Sequence, residues 1–236
     1  NCLYPPFDDV ATRRAVLHAV NQTDYLQAMV GDPTLYSECK AFSPCGTPLS
    51  TGAGSAVMDG KLDAARVLLN ASSYDGRKVV IISPADSPLA PLGTVTADLL
   101  QRIGMNVDLV ATDWGTVVAR RASQKSPAEG GWNIFHTTAV SPEFASPATH
   151  QPLRGNGRAG WPGWFTDPRM EELRTAWFSA ADPAAERKLA AEMEQEAFDA
   201  VPYVPLGQFR QPTLYRTALQ DIVPASTPFF WGLRKT

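Results

Sequence analysis

Residues 78–111 constrain the fold more than any other stretch of this chain. Lys78-Val79-Val80-Ile81-Ile82 is a continuous β-branched run, the pattern of a strand buried on both faces. A Pro-rich loop follows, and then Leu92, Val95, Leu99, Leu100 and Ile103 recur at helical spacing until Gly104 stops them. Residues 106–111 read as the next strand. Strand, crossover helix and strand form a βαβ unit, which crosses right-handed and leaves its strands parallel. The chain is therefore expected to be α/β.

The flanking segments extend that pattern. Asp8 or Asp9 can cap a helix carrying Val10, Ala15, Val16, Ala19 and Val20, and Asn21 or Thr23 starts a second through Tyr25, Leu26 and Met29. Residues 32–58 lack periodicity and read as a long loop, and residues 62–69 as a short helix. Another helix begins near Trp114, and residues 132–137 look like a third strand. Residues 139–166 are rich in loop formers. Helices from Pro168 to about 180 and from Pro183 to about 200 each place proline in the first turn. Segments 203–209, 213–216 and 229–233 look strand-like, an apolar tail without helices to cover it.

At 236 residues, with 44% hydrophobic and 19% charged residues, the chain has material for one large domain or two modest ones. A net charge of −3 and a pI of about 5.6 leave no electrostatic footprint for nucleic acid. The pair Arg120-Arg121 reads as a solvated helix face. No apolar run approaches the roughly 20 residues that span a bilayer. The opening Asn1-Cys2-Leu3-Tyr4-Pro5-Pro6 is not a basic-then-apolar leader, which fits a cytosolic protein or a mature or trimmed form.

Cys39 and Cys45 flank a turn-prone Ser43-Pro44. Their spacing suits a small disulfide ring in an oxidising compartment or a pair of buried free thiols. Zinc is disfavoured, because no second Cys or His pair follows at ligand spacing. Cys2 is left over and reads as core.

Motifs of catalysis are thin. Gly155-Asn156-Gly157-Arg158-Ala159-Gly160 matches a dinucleotide fingerprint by letter. It lacks the strand before it and the helix N-terminus after it that the pyrophosphate requires, so it reads as a flexible loop. Nucleophile elbow, Walker loop and H-E-x-x-H are missing. His18, His136 and His150 belong to different elements. His136 ends a strand where binding loops begin, so it is a candidate to face a ligand. Glu192, Glu194 and Glu196 read as the solvated face of a helix. An enzyme, for instance a hydrolase with an unrecognised site around His136, is the alternative to a binding protein.

The run Pro5-Pro6-Phe7-Asp8-Asp9-Val10-Ala11-Thr12-Arg13-Arg14-Ala15-Val16, followed by His18-Ala19-Val20-Asn21, resembles a signature of the peptide/nickel class of ABC-transporter solute-binding proteins. Similar segments follow in the same order: residues 62–69, 99–107, Asp113-Trp114-Gly115, 167–173 and 201–206. The resemblance implies a periplasmic-binding-protein-like second lobe with βαβ units, over residues 1–204. Residues 205–236 would then cross the hinge and return as strands to the first lobe. Members of the class are about twice this length, so it also implies a fragment whose N-terminal lobe is missing. The implied function is the substrate-binding component of an ABC importer, periplasmic or extracellular. It would capture a peptide or peptide-like solute between two lobes and deliver it to a membrane permease, with neither cofactor nor catalysis.

In the dipeptide-binding branch, an aspartate after the strand resembling residues 132–137 pairs with the ligand's amino group. A base after the strand resembling residues 79–82 pairs with its carboxylate. Here the first loop reads Thr137-Thr138-Ala139-Val140-Ser141-Pro142-Glu143, in which Glu143 is the available acid. The second reads Pro84-Ala85-Asp86-Ser87-Pro88, with Ser87 where the base would stand. Without those charge-assisted anchors a dipeptide clamped at both ends is disfavoured. Longer or modified peptides, opines, sugars and metal chelates remain as ligands, and nickel itself is disfavoured. Candidate ligand residues are therefore Asp86, Ser87, His136, Thr137, Thr138, Ala139, Val140, Ser141 and Glu143. Trp161 and Trp164 join them as aromatic faces that either stack on a ligand or fill the lobe's own core.

Overall fold

The computed structural model describes residues 1–235. Its scaffold opens with α1 (Val10–Ala19) and α2 (Gln22–Met29), N-capped by the side chains of Asp9 and Asn21. A two-residue strand, β1 (Tyr36–Ser37), sits in the long loop, which is otherwise irregular apart from a 3-10 turn at Ser55–Val57. Then come α3 (Leu62–Asn70), β2 (Lys78–Pro84), α4 (Ala90–Ile103), β3 (Asn106–Thr112) and α5 (Trp114–Arg121). After β4 (Ile134–Phe135) and the single turn α6 (Ser141–Phe144), the helices α7 (Pro168–Phe178) and α8 (Pro183–Ala200) complete the body. The short strands β5 (Gln208–Phe209), β6 (Leu219–Gln220) and β7 (Arg234–Lys235) lie in the tail.

The βαβ unit forms as its sequence pattern requires. β2 is the central strand of a parallel three-stranded sheet in the order β3-β2-β4, with Val80 opposite Asp108 and Ile81 opposite Ile134. Because side chains alternate along a strand, β2 feeds two cores at once. Val79 and Ile81 join the larger cluster with Leu17, Leu100 and Met170. Val80 and Ile82 join Val117, Trp132 and Trp164 on the opposite face. The crossover helix packs close to the sheet: a Cβ on Gly93 would stand 2.4 Å from Ser83 Oγ. Gly104 ends α4 in the left-handed region at φ +103°, a conformation that glycine adopts without strain.

The third strand is shorter than its expected span, 134–135 instead of 132–137. Asn133 explains the difference. Its backbone N–H donates to Val80 O while its buried side-chain oxygen accepts from Val80 N, so a side chain takes the place of one ladder rung. Beyond Phe135 the chain leaves the sheet, and His136 turns towards α4.

The tail departs further from expectation. Of the span 203–209 only Gln208–Phe209 pairs, antiparallel to β1. Val201 takes φ +50° at the end of α8, and Pro202 and Pro205 supply no N–H to a ladder. Segments 213–216 and 229–233 form no named strand, and β6 pairs with β7 instead. Leu214, Tyr215, Phe230 and Trp231 remain exposed, Leu214 at 95%. Among the described residues these segments form no ladder beyond an isolated bridge from Phe229 to Val223.

Cys39 and Cys45 are joined in a disulfide, which resolves the two readings of their spacing, and Cys2 is a half-buried free thiol packed against the larger core. The expectation of a solvated glutamate face on α8 is corrected at Glu194, which is 3% exposed. Its carboxylate accepts from Phe42 N (3.3 Å), Thr51 N (2.9 Å), Gly52 N (2.8 Å) and the Thr51 hydroxyl. Gly155–Gly160 contains a 3-10 turn and a bridge from Asn156 to Thr166, not a strand-to-helix phosphate turn.

Candidate functional site

A cleft of about 1580 Å³ opens between the C-terminal end of the sheet, the cysteine loop and the tail. Its volume exceeds the several hundred Å³ typical of a drug-sized ligand site. The cleft is built largely from apolar side chains, among them Val16, Val20, Leu26, Met29 and Leu92. Its other margins carry Phe42 and Pro44 of the disulfide loop and Phe229 and Phe230 of the tail.

β4 delivers the sequence-predicted residues to this cleft. His136, Thr137, Thr138, Ala139, Val140, Ser141 and Glu143 all line it, as do Trp161 and Trp164. Glu143 is exposed, as are Thr137, Thr138 and Ala139. The two tryptophans differ. Trp164 is 3% exposed and packs 5.5 Å from Trp132 in the smaller core, whereas Trp161 is half-buried. Trp164 therefore serves the wall from behind, and Trp161 presents more of its ring.

Asp86 and Ser87 stand apart from this group and are not among the cleft-lining residues. Asp86 Oδ1 accepts from Trp114 N at 2.9 Å and ties the loop after β2 to the first turn of α5. Ser87 accepts from Leu89 N through its hydroxyl and from Ala90 N through its carbonyl, capping the start of α4. Both side chains act locally.

His136 is 6% exposed, and burial holds its imidazole down at about 4, so the ring is neutral near pH 7. Nε2 lies 2.8 Å from Thr96 Oγ1, which in turn lies 3.1 Å from the Tyr25 hydroxyl, while the buried Nδ1 has no hydrogen-bond partner. This chain links β4, α4 and α2 beneath the cleft. Tyr25 and Thr96 were not singled out by sequence reasoning, although a hydroxyl on each otherwise apolar helix face is the signal that marks them. His150 does not line the cleft but stands behind two residues that do: its ring stacks on Phe144 at 4.3 Å, and Nε2 lies 3.0 Å from the Tyr203 hydroxyl.

Charge on the cleft wall is sparse. Arg13 is committed to the carbonyls of Ala200 and Val201, and Arg154 to Glu171. Among the described residues no cluster of three or more His, Cys, Asp or Glu is placed to hold a metal ion. No helix among them is long and apolar enough to cross a membrane. The arrangement suits capture of an extended solute with apolar and hydrogen-bonding groups.

Comparison with known proteins agrees with this architecture. Residues 1–152 match the model of "Bacterial extracellular solute-binding proteins, family 5 Middle". The chain is 33% identical over 238 residues to the "Probable peptide ABC transporter periplasmic-binding protein y4tO" of Sinorhizobium fredii, covering 100% of this chain and 45% of that protein. Among solved structures, the substrate-binding protein CtaP of Listeria monocytogenes superposes with a TM-score of 0.76 at 15% identity, over 87% of this chain and 41% of its own. Haemophilus influenzae OppA in complex with RPPGFSPFR gives 0.74 at 15%, over 93% and 43%. The dipeptide-binding protein of Pseudoalteromonas sp. SM9913 in complex with Met-Leu gives 0.73 at 18%, over 100% and 47%. The chain thus spans less than half the length of each of these relatives. With the family model covering its first 152 residues on an α/β scaffold shared with peptide-binding proteins, the chain belongs to the bacterial extracellular solute-binding proteins of family 5.

Proposed function

We propose that this chain is the second lobe and hinge-crossing segment of a periplasmic peptide-binding protein that delivers its solute to an ABC permease. The observation that carries this reading is the wide, largely apolar cleft bordered by the loop 137–143 and Trp161. Relatives that share the scaffold are described as complexes with Met-Leu and with RPPGFSPFR. Residues 1–204 supply the lobe. Residues 205–236 cross to a first lobe that covers Leu214, Tyr215, Phe230 and Trp231 in the whole protein. Ligand contacts come from His136, Thr137, Thr138, Ala139, Val140, Ser141 and Glu143, with Trp161 stacking on the solute and Trp164 backing the wall. A hydrolytic role for His136 is the less favoured reading, because Nε2 is already engaged by Thr96.

The test is native mass spectrometry and calorimetry on the full-length protein with tri- to pentapeptides. Saturable binding, released on denaturation without cleavage of the peptide, is expected. Cleavage that disappears in His136→Gln overturns the binding-only reading, and absence of any bound peptide overturns the ligand class.

A further inference from the structure

Gln22, the first residue of α2, is wholly buried, a position that glutamine seldom occupies. Its amide pairs with Cys39 as a rung of a sheet would. Oε1 accepts from Cys39 N at 2.6 Å, and Nε2 donates to Cys39 O at 2.8 Å. Nε2 also donates to Pro205 O at 2.9 Å, so both of its hydrogens are used. One side chain thereby joins α2 to segments 17 and 183 residues away in sequence. Gln22 does not itself border the cleft, but Cys39 and Pro205 both do.

The segment that starts at Pro205 lies tightly along the same helix. Gly207 takes φ +105°, and a Cβ there would stand 2.6 Å from Leu26 Cδ1, one turn of α2 beyond Gln22. Gln208 clamps the segment from its other side: Oε1 accepts from Cys45 N and Nε2 donates to Ser37 Oγ, each at 3.2 Å. Arg210 N donates to Leu35 O at 2.7 Å and closes the β1–β5 pairing. Gly207, Gln208 and Phe209 line the cleft, opposite Tyr36 and Cys45. The bonds of Gln22 are buried, whereas those of Gln208 are partly buried or exposed, so losing the former disturbs this margin more.

We infer that Gln22 is a positioning residue for solute capture: it sets the spacing between the disulfide loop and segment 205–210, and with it the cleft margin that these two segments form. It touches no solute itself. This rests on the solute-binding reading above and deepens it, because with residues 205–236 crossing to the first lobe, Gln22 also fixes the point from which the chain leaves this one. An amide that served stability alone would change how many molecules are folded. A positioning amide changes how long a folded molecule holds its solute.

The test uses the full-length protein with tri- to pentapeptides, calorimetry giving the binding stoichiometry and stopped-flow the two rate constants. Gln22→Met keeps the length of the side chain and removes all of its hydrogen bonds. Its dissociation rate should rise roughly tenfold while association changes by less than about threefold, at the wild-type stoichiometry. Gln208→Ala should move the dissociation rate in the same direction by a smaller factor, and it carries the test if Gln22→Met does not fold. A dissociation rate equal to wild type in the folded variant, or a loss that shows only as lowered stoichiometry, overturns the positioning role and leaves the binding function standing. A wild type that binds no peptide overturns the solute-binding reading itself, and this inference with it.

Discussion

Thr96 Oγ1 lies 2.8 Å from His136 Nε2, so a buried helix hydroxyl fixes the ring that closes β4 beneath the cleft. The bond joins the one polar residue at the strand's end to the crossover helix of the βαβ unit. It sets where loop 137–143 begins.

That buried ring gives stability a pH dependence. Burial holds His136 at about 4 and His150 at about 3, below the ordinary 6.5. The unfolded chain takes up protons near 6.5 that the folded chain refuses, so stability is complete above that pH and falls as pH drops towards the folded values. For His136 the loss between pH 6.5 and 4 amounts to roughly 3 kcal/mol. Urea unfolding at pH 7 and pH 5 should show the lower midpoint at pH 5. His136→Gln keeps an amide near Thr96 and cannot titrate, so it should flatten part of the slope. An unchanged slope in that variant would assign the effect elsewhere.

Glu194 is the second buried group whose loss should be large. Its carboxylate collects three backbone N–H donors and one hydroxyl from residues 42–52. Glu194→Ala leaves the buried Phe42 N–H and the partly buried donors of Thr51 and Gly52 without their acceptor, at a cost of about 2–4 kcal/mol in urea unfolding. Glu194→Gln turns an amide N–H towards donors on one side and should lie between wild type and alanine. Amide exchange at Thr51 and Gly52 should accelerate in both variants, and protection unchanged from wild type would show that the loop is held by other contacts.

What was legible in the chain follows from the range of the interaction that decides it. The βαβ unit and the capped helices rest on local periodicity and local capping, so Val79–Ile82, Asp9 and Asn21 declare themselves. Glu194 and Gln22 did not. A glutamate on α8 and a glutamine on α2 carry the same letters whether they face water or the backbone of segments far away in sequence; the Thr51 contact spans 143 positions and the Pro205 contact 183. Asp86 and Ser87 looked like ligand groups because they occupy a binding-loop position, and in the fold Asp86 Oδ1 accepts from Trp114 N and the Ser87 hydroxyl from Leu89 N. Segments 213–216 and 229–233 have strand composition, yet among the described residues they pair only through an isolated bridge from Phe229 to Val223, and a ladder, not composition, makes a strand.

The disulfide should matter more for the cleft margin than for global stability. It closes a loop with a sequence separation of 6, for which chain entropy gives only about 2 kcal/mol. Cys45 N also donates to Gln208 Oε1 at 3.2 Å, next to the β1–β5 pairing. Changing both cysteines to serine should lower the midpoint of thermal unfolding by a few degrees. Amide protection at Tyr36 and Phe209 should fall by more than protection in β2. A uniform loss across β2 and β5 would instead make the bridge a global staple.

The Gly155–Gly160 run offers a final discriminating measurement, because its glycines are explained by chain proximity. A Cβ on Gly155 would stand 2.2 Å from Asp167 O, and Asp167 is the residue whose carboxylate caps α7 through Met170 N. The obstacle is backbone and cannot swing aside. Gly155→Ala should therefore cost about 2 kcal/mol or more, with fraying at the start of α7 visible by amide exchange. At Gly160 the Cβ would meet the side-chain oxygen of Asn156 at 2.4 Å, a group that can rotate away. Gly160→Ala should thus cost less. A nucleotide-binding loop would give a different result: the melting temperature would rise on adding NAD, and both alanine variants would abolish that rise in equal measure.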